Sequence, residues 1–367
     1  MSTVAEGVVL TTAGEEPELI ELIIDDPGPD EVLVKLVASG VCHTDLHVMN
    51  MNGMGMAFPI LLGHEGAGIV EKVGEGVTHL APGDPVVIAY RAPCETCPAC
   101  LRGDPRRCWV ALRPKQRIHR KSDGQLCSQV LRCGTFATHT VVHSKAAIKM
   151  PKEMPLDKAC LIACGVITGV GAALNTAPIY PGANVAVFGC GGVGISVIQG
   201  ARLAHAKRII AVDLSETKLK WAKEFGATHT VLAGTGDAVS QVREIADGVG
   251  VDFAYEAVGI PATIKQAVES LAYAGTATHI GLPADEQHVD LNFGNMDTGV
   301  YWNKATIKVC HCGDALPSND FPLLAQLYLQ GQLKLDEMVT ARIGIGDVSD
   351  AFHAMETGDI LRSVIIF

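Results

Sequence analysis

The chain has 367 residues, enough for two domains with substantial cores, and its 29 Lys+Arg against 40 Asp+Glu give a formal net charge of -11. An acidic surface argues against a phosphate-backbone partner, which needs a basic face, so no nucleic acid is expected. No apolar run of about twenty residues is present, and the opening residues lack the basic-then-apolar pattern of an export signal, so a cytoplasmic protein with no membrane span is expected.

Residues 7–10, 19–24 and 31–37 read as strands broken by a turn at Pro27-Gly28-Pro29. Cys42-His43-Thr44-Asp45-Leu46-His47 then opens a short helix, with Thr44 as its cap and Asp45 in its first turn. A methionine-rich run follows (Met49, Met51, Met54, Met56), then Gly63-His64-Glu65-Gly66. Strand 68–73 ends at Gly74, strand 86–89 delivers Tyr90 and Arg91 toward a metal region, and 137–150 is mostly extended. Near residue 160 the texture changes. A charge-free helix at 165–174 precedes the apolar strand 184–188, and Gly189-Cys190-Gly191-Gly192-Val193-Gly194 follows directly. Helices at 195–204, 219–225, 242–245 and 263–271 alternate with strands at 208–213, around Val231, at 252–257 and at 275–280. That alternation predicts a doubly wound parallel sheet. A β-branched strand at 302–309 is expected at a sheet edge, open to a partner. Helices at 321–330 and 348–356, with a Gly344-Ile345-Gly346 turn between them, lead to a closing strand at 363–367. The expected class is α/β: a β-rich catalytic domain built from both chain ends (1–164, with a metal lobe at 94–108, and 312–367), and an inserted dinucleotide domain (165–311).

Three stretches carry chemistry. The glycine fingerprint follows a strand, opens a helix and is followed by an acid, Asp213, at a second strand end, as dinucleotide binding requires. Gly189 allows the tight turn, Gly191 the approach of a pyrophosphate, and Gly194 the packing of helix on sheet, with phosphates on the backbone donors of Gly192 and Val193 at the helix N-terminus. Asp213 would accept from the adenosine ribose and repel the extra phosphate of NADP, so NAD is expected. Cys94-x2-Cys97-x2-Cys100-x7-Cys108 lets one loop wrap a metal with four thiolates and no open position, a structural zinc; an iron–sulfur cluster shares only the opening spacing. Cys42 and His64 supply two ligands of a mixed sulfur–nitrogen set, and an open catalytic zinc needs a third. Cys164 is a candidate where the domains meet, and Cys160 is the alternative. Cys127, Cys133, Cys160, Cys310 and Cys312 read as buried small side chains.

Taken together, these motifs resemble the zinc-dependent alcohol dehydrogenases of the medium-chain dehydrogenase/reductase superfamily, over essentially the whole chain. The resemblance implies a GroES-like catalytic domain plus a Rossmann domain, with two zinc ions and NAD. It implies Cys42, His64 and Cys164 as catalytic zinc ligands, Thr44 at the substrate oxygen and His47 as the outer base. Asp45 is implied as the partner orienting His64, and Glu65 as an acid behind the metal. His43, Thr168, Lys218 and Arg362 are implied as cofactor contacts; His43 stands where liver-type members carry arginine, so cofactor affinity is expected to vary with pH. The implied reaction is alcohol oxidation with hydride transfer to NAD. Tyr90, Met54, Met56 and Phe58 are expected to line an apolar pocket suited to medium-chain, aromatic or terpenoid alcohols. Within the family, stretches 206–213, 225–231, 318–322 and 327–331 resemble the actinobacterial branch of mycothiol-dependent formaldehyde dehydrogenase and nicotinoprotein alcohol dehydrogenases, which makes a formaldehyde–thiol adduct or a trapped NAD(H) the alternative. For a thiol adduct, Arg91 and Arg113 are candidates to meet a carboxylate. A homodimer is expected through the 302–309 edge, with a tetramer as the alternative.

Overall fold

Alternation of apolar and polar side chains along the first forty residues yields three strands, β1 (Thr3–Leu10), β2 (Glu18–Ile24) and β3 (Glu31–Gly40). The computed structural model describes residues 2–110, 112–284, 287–358 and 360–367. They form two compact units, Met1–Cys164 with Leu316–Phe367, and Gly165–Ala315. In the first unit, α1 (His43–Asn50) leads to β4 (Ile60–Leu61), β5 (Glu65–Val73) and β6 (Pro85–Ile88). After α2 (Pro98–Leu101) come β7 (Ile118–Arg120), β8 (Ser128–Gln129), β9 (His139–His143), β10 (Ala147–Lys149) and α3 (Leu156–Ala159). One sheet runs β7-β2-β1-β4-β8; in a second, β10-β6-β5-β3 are successive neighbours and β9 also pairs with β3. Val9, Leu22, Leu33 and Leu61 are fully buried in a core that these strands share.

The second unit is the expected βαβ alternation. It runs α4 (Gly165–Gly171), β11 (Asn184–Phe188), α5 (Gly192–Leu203), β12 (Arg208–Asp213), α6 (Glu216–Phe225), β13 (His229–Leu232), α7 (Ala238–Ile245), β14 (Val251–Glu256), α8 (Pro261–Glu269), β15 (Leu271–His279) and β16 (Thr306–Val309). The sheet order is β13-β12-β11-β14-β15-β16, every pair parallel. The order reverses between β11 and β14, which makes the carboxyl end of β11 the crevice where such sheets take ligands. Three helices begin earlier than their apolar periodicity suggests, two because their caps are polar and the third because a proline sits at its first position. Ser215 accepts from Lys218 N, Asp237 accepts from Val239 N and Ser240 N, and Pro261 opens α8. β16 is shorter than the expected 302–309: Trp302 lies in a turn whose Asn303 carbonyl accepts from Ala274 N, leaving only four residues to pair.

The chain then returns to the first unit through α9 (Pro317–Leu329), β17 (Ala341–Ile343), α10 (Val348–Thr357) and β18 (Ser363–Ile366). β18 runs antiparallel to β3 with Val364 opposite Gly40, so both chain ends build one sheet. β9 takes residues 31–35 of β3 and β18 takes 38–40, sharing an edge. No single helix among the described residues is long and apolar enough to cross a membrane.

Candidate active site

Sheet register assembles the first cluster. Gly40 at the end of β3 lies opposite Glu65 at the start of β5, so Cys42, just past one strand, meets His64, just before the other. Cys164 arrives behind the fully buried turn Cys160–Ala163. Ligand atoms of Cys42, His64, Glu65 and Cys164 lie within 4.8 Å of one another. His64 is fully buried; its Nδ1 stands 3.1 Å from Asp45 Oδ2, without the alignment of a full hydrogen bond, and its Nε2 has no hydrogen-bond partner. A buried, partnerless imidazole nitrogen is costly unless a cation takes it. A hydrogen bond from Cys164 outweighs burial and, with His64, holds Cys42 well below the ordinary thiol range. A thiolate, a second thiol and a free imidazole nitrogen fit an open zinc site with three protein ligands. Cys160 is apart from this set: its thiol is fully buried, donates to Asp157 O at 3.5 Å, and is pushed up by burial.

Two features hold the imidazole in place. Gly63 adopts a left-handed φ of 88°, and a Cβ there would lie 2.4 Å from Phe136 N, so only glycine brings His64 around this corner. Its N–H donates to Asp45 Oδ1 at 2.9 Å, which fixes the carboxylate that faces the ring. Asp45 is fully buried on α1. Thr44 is not the helix cap that was expected. Cys42, in extended backbone, occupies the cap position with its sulfur in the cluster, and Thr44 lies one residue into the helix with Oγ1 3.7 Å from Cys42 Sγ. His43 is exposed at the first helical position and His47 is half-buried in the last turn.

Behind the cluster, Glu65 is fully buried and takes a hydrogen bond from Arg362 Nη2. Burial pushes Glu65 up to about 7 against the pull of Arg362. Burial likewise opposes the charge on Arg362, but Glu65 and the cluster sulfurs hold that charge more firmly. As pH falls the carboxylate is therefore neutralised while Arg362 keeps its charge. Arg362, implied as a cofactor contact, gives its Nη2 to Glu65. On the other side, the Tyr90 ring meets His64 edge-on at 6.2 Å between centroids. Met56 and Phe58 rest against a core cluster, whereas Met54, at φ 48°, is 41% exposed. Arg91 does not turn to this region. Its guanidinium donates to the carbonyls of Cys108 (2.7 Å) and Arg106 (3.3 Å), and so braces the cysteine lobe.

In that lobe, Cys97 Sγ lies 3.6 Å from Cys100 Sγ and 3.8 Å from Cys108 Sγ. Cys94 Sγ accepts from the N–H groups of Thr96 and Cys97, and Cys108 Sγ accepts from Cys94 N. The Thr96 hydroxyl and these N–H groups pull the Cys94 thiol down to about 6. Four gathered sulfurs, with N–H donors that favour thiolate, fit a closed zinc. One tie of the lobe was not legible in the sequence: Arg106 grips Asp320 with both nitrogens, at 2.5 and 3.1 Å, across 214 residues.

In the second unit, Gly189 turns at φ 89° and a Cβ at Gly194 would lie 1.8 Å from Gly189 O, so both positions demand glycine. A Cβ at Gly191 would meet open space, and α5 starts there with no side-chain cap over its N–H groups. That exposed N-terminus, on a helix of 12 residues, fits a pyrophosphate. Asp213 accepts from Cys190 N (2.7 Å) and Ser215 N (2.9 Å), which holds its carboxylate at the strand end. Lys218 is half-buried on α6, and Thr168 is nearly buried in α4. A second strand-end acid was missed: Glu256 accepts from Val258 N, Gly259 N, Thr263 and His279. Its signal was the same as Asp213's, an acid closing an apolar strand.

Two family models match this chain, the alcohol dehydrogenase GroES-like domain over residues 28–152 and the zinc-binding dehydrogenase over 192–330. S-(hydroxymethyl)glutathione dehydrogenase of Komagataella pastoris is 35% identical over 98% of this chain and 97% of its own length. The chain belongs to the zinc-dependent alcohol dehydrogenase family. It is a zinc-dependent, NAD-linked oxidoreductase with one catalytic and one structural metal cluster. Alcohol dehydrogenase class-3 of Cereibacter sphaeroides is 34% identical, with 98% of each chain covered. Among solved structures, benzyl alcohol dehydrogenase of Acinetobacter calcoaceticus superposes with a TM-score of 0.90 at 33% identity, covering 100% of this chain and 99% of that one. These relatives overturn the placement in the mycothiol-dependent actinobacterial branch: the similarity runs to the glutathione-dependent, class-3 members. The stretches behind that placement form β12, the end of α6 with β13, and α9. Strand and helix packing fixes such residues, so they carry no information about the thiol.

Proposed function

We propose that this enzyme oxidises the hydroxymethyl group of a formaldehyde–thiol adduct, with S-(hydroxymethyl)glutathione as the model substrate. Hydride passes to NAD and a proton to solvent, so the R–S–CH2–OH adduct becomes the thioester R–S–CHO plus NADH. The observation that carries this reading is the end-to-end similarity to S-(hydroxymethyl)glutathione dehydrogenases in a chain whose metal cluster is complete. Cys42, His64 and Cys164 would hold the catalytic zinc, which when bound supplies a Lewis acid that acidifies an alcohol. Asp45 keeps the His64 proton on Nδ1 and so leaves Nε2 as the metal-facing atom. Thr44 is the hydroxyl that takes the substrate proton, and the half-buried His47 hands it to water. Asp213 receives the adenosine ribose of NAD, and Gly191 and the α5 N-terminus receive its pyrophosphate.

A second reading, oxidation of an aromatic primary alcohol, is favoured by the Tyr90 ring set edge-on to His64 and by the likeness to benzyl alcohol dehydrogenase. One experiment separates the two. Purified protein with NAD is given formaldehyde with glutathione, formaldehyde alone, benzyl alcohol and a chain-length series of alcohols, and NADH is followed by near-ultraviolet absorbance. Turnover that needs both formaldehyde and glutathione is expected. A higher kcat/KM for benzyl alcohol than for the adduct would transfer the assignment to the second reading.

A further inference from the structure

Among the described residues, five carboxylates are almost wholly buried: Glu31, Asp45, Glu65, Glu256 and Asp320. Four of them meet an arginine or the histidine of the metal cluster: Glu31 meets Arg117, Glu65 meets Arg362, Asp320 meets Arg106 and Asp45 faces His64. Glu256 departs from this pattern. It is 1% exposed at the end of β14, and among the described residues its ion-pair partner is His279 at the end of β15, with Nδ1 2.6 Å from Oε2. The other oxygen, Oε1, accepts from Val258 N (2.8 Å), Gly259 N (2.7 Å) and the Thr263 hydroxyl on α8 (2.8 Å). Burial pushes the carboxyl up, but these donors, His279 foremost, hold it below its ordinary value, so it is a buried anion. A carboxylate only accepts, so the His279 proton sits on Nδ1. A buried charge with four donors is a costly arrangement, and neither zinc binding nor hydride transfer uses it directly.

Glu256 lies opposite Phe188, the last residue of β11, and Ala257 N donates to Phe188 O at 2.9 Å. The anchored loop 257–260 thus starts beside the glycine fingerprint, where the strand order reverses. It is wedged there. A Cβ at Gly189 would lie 2.6 Å from Val258 Cγ2, and a Cβ at Gly259, which turns at φ 91°, would lie 2.5 Å from Leu282 O. The end of β15 is tied to the same residue, since Ile280 N and Gly281 N both donate to Glu256 O, at 2.8 and 3.1 Å. Side chain and carbonyl of one residue therefore fix two loops at the crevice. Val258 and Leu282, on those loops, are left 44% and 40% exposed. Apolar side chains held rigidly at a crevice suit a flat ring lying against them. A dinucleotide sheet has two halves, one for each nucleotide. Asp213, at the end of β12, belongs to the half that takes the adenosine, so the ends of β14 and β15 belong to the other.

We propose that Glu256 and His279 are positioning residues for the nicotinamide half of NAD: their contact sets loops 257–260 and 280–282 in the shape that receives it. Glu256 acts through Val258 and Gly259, and His279 acts through Glu256. An apolar residue at 279 would leave Oε2 without its donor, and the loop would lose one side of its anchor. The inference concerns the NAD-linked reaction as such and does not depend on which alcohol is oxidised.

The test compares two probes. NADH occupies both halves of the site and AMP only the adenosine half; dissociation constants come from NADH fluorescence and from its displacement by AMP. In His279→Ala the NADH constant should rise about tenfold, the lower end of what a hydrogen bond to a charged group contributes, while the AMP constant keeps its wild-type value. His279→Asn, which can still present a side-chain N–H to Oε2, should recover part of the loss. An unchanged NADH constant in His279→Ala would overturn the proposal. So would equal losses for NADH and AMP, because a general loosening of the fold weakens both. Should His279→Ala not fold, wild type decides: hydrogen exchange across residues 257–260 should slow with NADH and not with AMP. Exchange that both probes slow equally, or that neither slows, would overturn the proposal.

Discussion

Asp45→Asn tests the metal cluster through a residue outside its set of gathered ligand atoms. The carboxylate has two duties, accepting Gly63 N–H at 2.9 Å and facing His64 Nδ1 at 3.1 Å. An amide can serve only one of them. If its oxygen stays on Gly63 N–H, its NH2 group faces a ring nitrogen that should carry a proton, and the tautomer that frees Nε2 is disfavoured. If it flips, the buried Gly63 N–H loses its acceptor. Either way one charge-assisted contact is lost, about 1.5–3 kcal/mol, or roughly ten- to a hundredfold in metal affinity. The range agrees with what replacing outer partners of ligating histidines usually costs, also about 10–100-fold. The assay is zinc retention during titration with a chelator, where the four-cysteine lobe serves as an internal standard because Asp45 touches none of its ligands. Wild type should release its two zincs in two steps; the variant should release the catalytic one about ten- to a hundredfold earlier and the other unchanged. Co-release of both metals, or retention of the catalytic zinc at the wild-type chelator concentration, would refute the role given to Asp45.

Further outcomes are expected elsewhere in the chain. Asp320→Asn breaks the two-pronged grip of Arg106; a fully buried pair would cost about 3–5 kcal/mol, but Arg106 is a third exposed, so about 1–3 kcal/mol is expected in denaturant unfolding. Burial raises the Asp320 carboxyl, yet Arg106, Asn319 and Leu316 N hold it below its ordinary value. Its stabilising effect is therefore complete above the unfolded pKa of about 4 and lost as pH falls through the lower folded value, so the gap between wild type and variant should close in acid; a gap that widened there would contradict the sign. Asp213→Ala should raise the KM for NAD by about tenfold or more and admit NADP, and an unchanged ratio of the two cofactors by initial rates would argue against its ribose role. β16 ends its sheet with Ile307 and Val309 exposed, so pairing with a second copy is expected; sedimentation should show Val309→Lys as a monomer beside a dimeric wild type, and a wild-type monomer would dispose of the idea.

The chemistry near in sequence was legible because local spacing encodes it. Four cysteines within fifteen positions can wrap one ion, and a glycine run between a strand and an acid-ended strand can hold a dinucleotide, whatever surrounds them. Strand periodicity likewise announced the β-rich unit and the parallel sheet, whereas helix starts were misplaced where Ser215 and Asp237 set them by capping and Pro261 by its fixed backbone, rather than by apolar repeat. Long-range partnership was a different matter. That Cys164 and not Cys160 joins Cys42 and His64 depends on how the turn at 160–163 is buried. That Arg362 faces Glu65, Arg106 faces Asp320 and Arg91 braces the cysteine lobe depends on strands and helices separated by tens to hundreds of residues. Arg132 is the extreme case. In the sequence it is one basic residue among 29, and only the folded chain reveals that its turn is bent and its Nε buried without a hydrogen-bond partner. Residue types and spacing determine which chemistry the chain can perform; which side chains are left without a partner, and so are free to meet a ligand, is decided only when the tertiary structure pairs all the others.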